Sequence, residues 1–264
     1  MAYFLQDLCL AQRCRFYGVL MMEHALCGAP RGLDDPEGLL MQRLMEGYSR
    51  FRTKVFPMHS KLFAELARGQ KPQALFIACS DSRVMPEMVM QCDPGDLFPC
   101  RNAGNLVPPP TETASGVAAT IEYAIRVLKI PDVVICGHSD CGAMKGMLQH
   151  EHLDELPLVK SWLEHAGPSS RWLRELLRNA VSFSFEQKLK MLTEANVIMQ
   201  MQNLRAHPVV AEGLKAGTLK VHGWMYDIGS GGLESFDSEL GVFSAVADGQ
   251  PAVTKTAQPQ RKIA

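Results

Sequence analysis

Two short apolar runs, each followed by side chains that bind metals, constrain the fold of this chain more than any other feature of its sequence. The first, A-L-F-I-A-C-S-D-S-R-V, extends from Ala74 to Val84, and the second, V-V-I-C-G-H-S-D-C-G, extends from Val133 to Gly142. A short apolar run that stops at polar residues is typical of a buried strand. We therefore predict two buried strands that end in reactive polar groups, and we expect the two ends to meet.

The segment between the two runs predicts that these strands are parallel. Residues 101–110 include three consecutive prolines, which cannot continue a helix or a central strand, so they form a loop. Beyond the loop, Val117, Ile121, Ile125 and Leu128 recur at helical spacing. A strand, a crossover helix and a second strand normally form a right-handed unit with parallel strands. The predicted fold is therefore α/β, with a central, mostly parallel sheet flanked by helices.

Periodicity and turn signals assign the remaining segments. Helical spacing is found at residues 42–69 and 141–175, and S-F-E-Q at residues 184–187 is a capping-box pattern for a long helix that ends near Arg205. A further strand is predicted through Leu97 and Phe98, and another in T-L-K-V-H-G-W-M-Y-D-I. Alternation along that last strand is enough to explain its histidine, tryptophan and tyrosine.

Three segments are distinguished along the chain. Residues 1–44 are predicted to be an N-terminal extension or helical arm, residues 45–246 a single domain, and residues 247–264 a disordered tail, because that tail is rich in Pro, Gln, Lys and Thr. Two arginines ahead of F-Y-G-V-L-M-M loosely imitate a signal peptide, but Glu23 and His24 interrupt the apolar stretch. Export is therefore not the favoured interpretation.

Charge and cysteine content exclude several classes of partner. The net charge is −1 and the isoelectric point is near 6.7, which provides no electrostatic footprint for nucleic acid or for an anionic membrane. No apolar run approaches the roughly 18 to 20 residues of a membrane span. The chain has eight cysteines, of which at least two fit a metal-binding pattern, so a reducing compartment, the cytoplasm, is predicted.

Cys79, His138 and Cys141 offer two thiolates and an imidazole, a ligand set that suits tetrahedral zinc. Three protein ligands leave one position for water or substrate. Asp81 lies two residues from Cys79, on the same side of an extended backbone, so it could occupy that position and close the site. Arg83 can instead hold Asp81 by a charge-assisted hydrogen bond. Spacing alone does not separate a catalytic site from a closed structural one, but location at two strand ends favours catalysis.

Together with the sequence motifs around them, these residues make the chain resemble the β-class carbonic anhydrases. The motifs C-S-D-S-R-V, R-N-A-G-N-L-V-P-P, I-E-Y-A and G-H-S-D-C-G occur in the family order and at the family spacing. Weaker similarity continues through N-L-R-A-H-P and the strand that follows it, so the resemblance covers roughly residues 45 to 240. The N-terminal arm and the tail lie outside it.

The resemblance implies a specific chemistry and a role for each site residue. It implies that Cys79, His138 and Cys141 bind zinc, and that a zinc-bound hydroxide converts carbon dioxide into bicarbonate and a proton. It further implies that Asp81 and Arg83 form a catalytic pair, with Asp81 as a fourth ligand only if the site is closed.

The resemblance also implies a substrate pocket and an assembly. Gln70, Phe98 and Tyr123 would line the pocket, as in the plant-like branch whose zinc stays open to water. Without the resemblance, Phe98 and Tyr123 fit an apolar core and Gln70 fits the surface. Family members build the active site near a dimer interface, which implies a homodimer or a dimer of dimers. Two alternatives stay open: hydrolysis of a carbon dioxide analogue such as carbonyl sulfide or carbon disulfide, and a zinc-stabilised assembly protein without catalysis.

Overall fold

The two apolar runs form neighbouring parallel strands in the middle of one sheet. A computed structural model of the protein describes residues 36–110 and 115–247. The strands of these residues are β1 (Ala74–Cys79), β2 (Leu97–Asn102), β3 (Asp132–His138), β4 (Lys220–Tyr226), β5 (Leu233–Asp237) and β6 (Val242–Ala245). They form one six-stranded sheet in the order β2-β1-β3-β4-β5-β6. The strands β2, β1, β3 and β4 are parallel to one another, whereas β5 is antiparallel to β4 and β6 is antiparallel to β5. The predicted, mostly parallel sheet is therefore confirmed.

Helices connect the parallel strands and complete the chain. The α-helices of the described residues are α1 (Pro36–Arg50), α2 (Phe56–Met58), α3 (Ser60–Leu66), α4 (Pro86–Val89), α5 (Gly116–Arg126), α6 (Gly142–Leu148), α7 (Pro157–Leu163), α8 (Pro168–Asn179), α9 (Phe185–Ala206) and α10 (Pro208–Lys215). A π-helical turn, Phe51–Val55, follows α1, and 3₁₀ turns occupy His150–Leu153 and Glu164–Ala166. The predicted crossover helix corresponds to α5, and the predicted long helix corresponds to α9.

Both faces of β1 are buried, which explains why its sequence is a continuous apolar run rather than an alternating one. Leu75 and Ile77 pack into one hydrophobic cluster, to which α5, α9 and α10 also contribute. Phe76 and Ala78 point to the opposite face and pack with Val84. Each of these four strand residues is at most 2% exposed. The strand therefore holds its carboxyl end in a fixed position between two packed layers.

The helix α9 begins and packs as its sequence indicates. Ser184 Oγ accepts a hydrogen bond from Gln187 N, and the Gln187 side chain accepts one from Ser184 N, so the predicted capping box is present. The helix lies against the sheet at Gly137, where an added Cβ would come within 2.7 Å of both Val197 Cγ2 and Met225 Sδ. Glycine is needed here because the helix and the sheet approach too closely for any side chain. This packing places α9 behind the end of β3.

The N-terminal helices form a unit of their own. The chain divides into two compact units, one ending at Glu65 and the other beginning at Leu66. Within the first unit, the rings of Phe51, Phe56 and Phe63 contact one another at centroid distances of 5.1 to 6.0 Å. Helix α1 exposes several large apolar side chains: Leu39, Leu40, Met41, Leu44, Met45 and Tyr48. The predicted boundary between residues 44 and 45 falls inside α1 and stays a prediction.

Two expectations concern residues that the structure does not describe. The helical arm predicted for residues 1–44 is described only from residue 36 onward, and the disordered tail predicted for residues 247–264 lies outside the described residues except for residue 247. None of the helices in the described ranges is both long enough and apolar enough to cross a membrane. The strand β6 had no counterpart in the sequence prediction.

Candidate metal centre and catalytic cleft

The ends of β1 and β3 bring three potential metal ligands together. Cys79 is the last residue of β1, His138 is the last residue of β3, and Cys141 immediately precedes α6. The two strands are adjacent and parallel, so their carboxyl ends lie side by side. One ligand atom from each of the three residues lies within 4.8 Å of the others, and all three residues are buried. The predicted meeting of the two apolar runs is therefore confirmed.

The histidine of this group has one ring nitrogen bound and one unbound. His138 Nδ1 lies 2.8 Å from Ser139 O, a carbonyl that can only accept, so Nε2 is the ring nitrogen available to a metal ion. His138 is 0% exposed, and Nε2 is buried without a hydrogen-bond partner among the described residues. A buried polar atom without a hydrogen-bond partner is costly unless another group, such as a metal ion, binds it. The unpaired Nε2 therefore fits a metal ligand.

The two thiols shift each other's pKa in opposite directions. A hydrogen bond from the Cys141 thiol is the main reason that the pKa of the Cys79 thiol is lowered, and the nearby His138 ring and the Gly104 N–H act in the same direction. The same bond to Cys79, together with burial, raises the pKa of Cys141. A divalent cation bound by both sulfurs would favour the loss of both protons. Two thiolates and one imidazole form the donor set that zinc prefers, so the residues present fit a zinc ion.

A charged pair lies directly beside the three ligands. One edge of the Arg83 guanidinium group binds Asp81 with two hydrogen bonds: Nε donates to Oδ1 at 2.9 Å, and Nη2 donates to Oδ2 at 2.8 Å. The Arg83 side chain holds the pKa of the Asp81 carboxyl well below its usual range, and the pKa of Arg83 is raised in return. Both carboxylate oxygens of Asp81 accept from Arg83, and Asp81 does not belong to the three-residue ligand group.

A second carboxylate, which the sequence analysis did not single out, holds the other side of Arg83. Arg83 Nη1 donates to Asp140 Oδ2 at 2.9 Å, and Nη2 donates to the Asp140 carbonyl at 3.2 Å. Asp140 also pairs with Lys145, and these two cations lower the pKa of its carboxyl, Lys145 more than Arg83. The only signal in the sequence was a charged residue placed between His138 and Cys141. Arg83 thus connects the segment after β1 with the segment after β3.

Arg101 supports the backbone that carries the first ligand. Its Nε donates to the Cys79 carbonyl at 3.1 Å, and its Nη2 donates to the Asp81 carbonyl at 2.7 Å. It extends from β2, the neighbour of β1 on the side opposite to β3. In the sequence, this arginine stood out only as the first residue of the motif R-N-A-G-N-L-V-P-P. Its contacts fix the turn in which Asp81 follows Cys79.

A cleft of about 450 Å³ opens beside Cys79 and Asp81. Its polar lining residues include Ser80, Lys145 and Gln149. Its apolar wall comes from α6 and from the segment that continues through α7: Ala143, Gly146, Leu153, Leu156, Val159 and Leu163. A mostly apolar lining with a few polar groups is the usual form of a small-molecule site.

The three residues assigned to the substrate pocket do not line this cleft. Phe98 pairs with Leu75, four residues before Cys79, so it lies roughly 13 Å back from the end of β1. The Phe98 and Tyr123 rings stack with centroids 6.1 Å apart, and Tyr123 is 46% exposed. Gln70 is exposed in the connection between α3 and β1. The structure brings Phe98 and Tyr123 together, but neither they nor Gln70 belong to the lining of the cleft beside Cys79.

Comparison with known proteins identifies the same region. The family model described as carbonic anhydrase matches residues 74–233. The chain is 43% identical over 224 residues to a carbonic anhydrase of Pseudomonas aeruginosa, and the match covers 85% of this chain and all of that protein.

Solved structures of similar proteins share the fold. The β-carbonic anhydrase CcaA has a TM-score of 0.73 and 41% identity, covering 78% of this chain and 92% of that chain. A tetrameric β-carbonic anhydrase of Sordaria macrospora has a TM-score of 0.62 and 31% identity, covering 79% of this chain and 97% of that chain. The region that the family model matches contains both strands that carry the ligand group.

Proposed function

Since this chain belongs to the β-carbonic anhydrase family, we propose that it catalyses the reversible hydration of carbon dioxide to bicarbonate and a proton, with zinc held by Cys79, His138 and Cys141. One observation carries the proposal: three buried ligand atoms lie within 4.8 Å of one another beside an ion pair and an open cleft. Zinc bound there would supply a Lewis acid that makes water a nucleophile near neutral pH. The family is zinc-dependent in general.

Asp81 is proposed to orient the attacking water. The Arg83 guanidinium keeps the Asp81 carboxylate ionised, so Asp81 accepts a hydrogen bond without taking up the proton. A fixed acceptor aims the oxygen lone pair of the water at the carbon of the substrate, which lowers the barrier through orientation and electrostatics. Arg83 acts through Asp81, and Asp140 supports Arg83 from its other side.

The zinc site is proposed to be open, with Asp81 outside the coordination sphere. This proposal is supported by two observations: the paired hydrogen bonds from the Arg83 side chain hold the Asp81 carboxylate in place, and Asp81 lies outside the group of ligand atoms within 4.8 Å of one another. Each Asp81 oxygen keeps a lone pair with which it can accept a hydrogen bond from the water. A crystal structure of the zinc-loaded protein near neutral pH tests this point. An Asp81 oxygen at about 2.0 to 2.2 Å from zinc, the direct-ligand distance, would contradict it.

Carbon dioxide is proposed to bind against the apolar wall of the cleft, with a second copy of the chain completing the pocket. Gln70, Phe98 and Tyr123 are too far from Cys79 to serve their own protomer, whereas Gln70 and Tyr123 are exposed enough to serve another. A homodimer, or a dimer of dimers, would also cover the exposed apolar side chains of α1. Light scattering of an active protein at micromolar concentration tests the assembly, and an active monomer would contradict it.

The cytoplasm is proposed as the location of the enzyme. Its support is that the described cysteines Cys79, Cys92, Cys100, Cys136 and Cys141 are free thiols, as expected in a reducing compartment. Cell fractionation with antibody detection tests this assignment. Recovery of the protein outside the cytoplasmic fraction would contradict it.

Stopped-flow measurement of carbon dioxide hydration tests the function itself. Zinc-loaded protein is expected to accelerate hydration, protein dialysed against a strong chelator is expected to lose the activity, and added zinc is expected to restore it. Carbonyl sulfide and carbon disulfide serve as competing substrates in the same preparation. Hydrolysis of either without hydration of carbon dioxide would favour the analogue-hydrolase alternative, and zinc binding without any turnover would favour a non-catalytic protein.

A further inference from the structure

A backbone N–H outside the two ligand-bearing strands reaches the metal group. Gly104 N, in the loop after β2, donates to Cys79 Sγ at 3.4 Å. Gly104 has φ +81°, a conformation that side chains disfavour. An added Cβ would lie 3.1 Å from Ala143 Cβ and 3.2 Å from Met144 Cε. The loop therefore fits tightly against the start of α6, and glycine lets this N–H approach the sulfur.

The oxygen of the same peptide group is held by an indole. Trp162, in α7, donates from Nε1 to the Ala103 carbonyl at 2.8 Å. The carbonyl of Ala103 and the N–H of Gly104 belong to one planar trans peptide, so they point in opposite directions. A donor that fixes the oxygen on one side thus also fixes the direction of the N–H toward Cys79 on the other. Hydrogen bonding at the oxygen further polarises the N–H and makes it a stronger donor.

The next peptide group is held from the opposite direction by α9. Asn196 Nδ2 donates to the Gly104 carbonyl at 3.0 Å, and Asn196 is 1% exposed. Its Oδ1 accepts from Gln200 Nε2 at 3.0 Å, and Gln200 Oε1 accepts from Val107 N at 2.8 Å. The two side chains are four residues apart and therefore project from the same face of the helix. They bind the loop at two separate points, so the loop cannot shift without breaking buried hydrogen bonds.

We propose that Trp162 and Asn196 are positioning residues for Cys79: they hold two consecutive peptide groups so that Gly104 N–H stays on the sulfur. Held in this way, the N–H stabilises the thiolate that binds the metal and withdraws electron density from it. The inference rests on the proposed function in one respect, namely that Cys79 binds zinc. It assigns the two residues to the tuning of the ligand rather than to contact with the substrate.

The replacement Trp162→Phe tests the proposal, because it removes the indole N–H and retains most of the ring. The matched control is Trp224→Phe. The Trp224 ring packs edge-on against Phe76 at 5.9 Å, but its Nε1 is buried without a hydrogen-bond partner in the part of the chain that the structure describes. The two replacements remove similar volumes, and only the first removes a hydrogen bond that acts on Cys79.

Two readouts are taken on the full-length protein. Zinc affinity is measured by competition with a chromophoric chelator, and donation by the sulfur is measured from the thiolate-to-metal charge-transfer absorption of the protein loaded with Co²⁺. Trp162→Phe is expected to weaken zinc binding about 10-fold, within the range observed when partners of metal ligands are removed. Its charge-transfer band is expected to move to longer wavelength, because a thiolate without its N–H donor gives up an electron more easily.

The control is expected to leave both the affinity and the band at their wild-type values. A general loss of stability would lower the melting temperature without moving the band, so the spectrum separates positioning from packing. Asn196→Leu is the second variant, because it removes the Nδ2 donor and keeps a similar side-chain volume without adding a charge or a new donor. It is expected to change both readouts in the same direction as Trp162→Phe, and it decides the matter if Trp162→Phe does not fold.

Wild-type zinc affinity together with an unshifted band, in whichever of these variants folds, would overturn the inference. Equal changes in Trp162→Phe and Trp224→Phe would also overturn it. Failure of zinc binding gives a different result, because the wild-type protein itself would then bind no zinc, and the inference would fall with it. Loss of turnover alone, with zinc still bound by the wild type, would contradict the proposed function and leave both readouts of the inference measurable. Zinc binding by the wild type with unchanged variants overturns only the inference.

Discussion

His138 and His222 lie on adjacent strands of the same sheet and show how differently its two ends are built. His138 ends β3 at the carboxyl edge of the sheet, and its Nε2 is buried without a partner among the described residues. His222 lies near the start of β4, and its Nε2 is 2.7 Å from Asp132 Oδ1. His138 lies beside two cysteines, and His222 lies beside an aspartate. Only one of them has a buried ring nitrogen left to bind a further group.

The difference follows from the direction of the parallel strands. At the carboxyl end, the last residues of the adjacent parallel strands β1 and β3 lie close together, so the ligands converge there. The ion pairs of Arg83 with Asp81 and Asp140 lie beside them. At the amino end, Asp132 and His222 satisfy each other within the sheet. In this sheet, a histidine is therefore a candidate metal ligand only when one of its buried ring nitrogens has no hydrogen-bond partner. We expect substitutions at the carboxyl end to affect chemistry and those at the amino end to affect stability alone.

The largest effect is expected from Cys141→Ser at the carboxyl end. A serine hydroxyl is a poor ligand for zinc, so the variant is expected to lose both the metal and nearly all hydration activity. Zinc content per chain and the stopped-flow rate are measured together. The control is Cys92→Ser, which alters a free cysteine that is outside the ligand group and is expected to retain both properties. Full activity in zinc-free Cys141→Ser protein would break the assignment.

The next effect is expected from Arg83→Ala, which releases Asp81 without touching a metal ligand. Loss of the oriented acceptor is expected to lower kcat by roughly 100-fold or more, the scale of positioned hydrogen-bonding groups in active sites. Arg83→Lys is expected to fall in between, because it keeps the charge and loses the paired geometry.

The control for Arg83 is Arg126→Ala. Arg126 makes a 2.8 Å ion pair with Glu212 in which both side chains are exposed, and its loss is expected to leave kcat unchanged. Equal activity of Arg83→Ala and Arg126→Ala would show that the pair beside the cysteines has no catalytic role.

A smaller effect is expected from Asp140→Asn. The amide keeps the shape of the side chain but weakens its contact with Arg83 and with Lys145, so kcat is expected to fall roughly 10-fold, at the low end for partners of site residues. Zinc content is expected to stay at the wild-type level. Asp154→Asn, which disrupts the exposed 2.7 Å pair with Lys160, is the matched control and is expected to leave kcat unaltered. An unaltered kcat in Asp140→Asn would remove Asp140 from the site.

The smallest effect on activity is expected from His222→Leu at the amino end. Losing the contact with Asp132 is expected to cost about 1 kcal/mol in the free energy of unfolding, a typical value for one partly buried hydrogen bond. The kcat and KM values are expected to stay at wild-type levels. Denaturant unfolding and steady-state kinetics on the same preparation check both parts. A fall in kcat without a fall in stability would mean that the two ends of the sheet are not functionally distinct.

Much of the fold was predictable because the spacing of apolar residues and the residues that begin or end each element depend only on short stretches of sequence. The apolar run at β1, the helical spacing of α5 and the capping box of α9 depend on neighbouring residues, and each is present in the structure. The strand β6 was missed because Val242–Ala245 is short and lies at the edge of the sheet, where pairing with β5 rather than an apolar pattern defines it. A short, largely exposed edge strand such as β6 has no apolar pattern by which the sequence could predict it.

The candidate site was predictable only in part. The meeting of Cys79, His138 and Cys141 followed from two strand ends that must be adjacent in a parallel sheet. The hydrogen bonds that Arg83 donates to Asp140 and that Arg101 donates to the Asp81 carbonyl did not follow, because a long arginine side chain can reach several partners and the sequence does not choose among them. The distance of Phe98 from Cys79 within one protomer was equally hidden, since it depends on the register of β1 with β2.

The sequence by itself determined the ligand types, the order of the strands and helices that surround the site, and the charged residues available after each strand. These depend on composition and short-range periodicity. The tertiary structure alone decided which partner each polar group takes: Nε2 of His138 is left unbound, while Nε2 of His222 is paired. The reason is geometric, because a hydrogen bond requires a donor and an acceptor at about 3 Å with suitable angles, and only the packed chain brings distant residues to that separation.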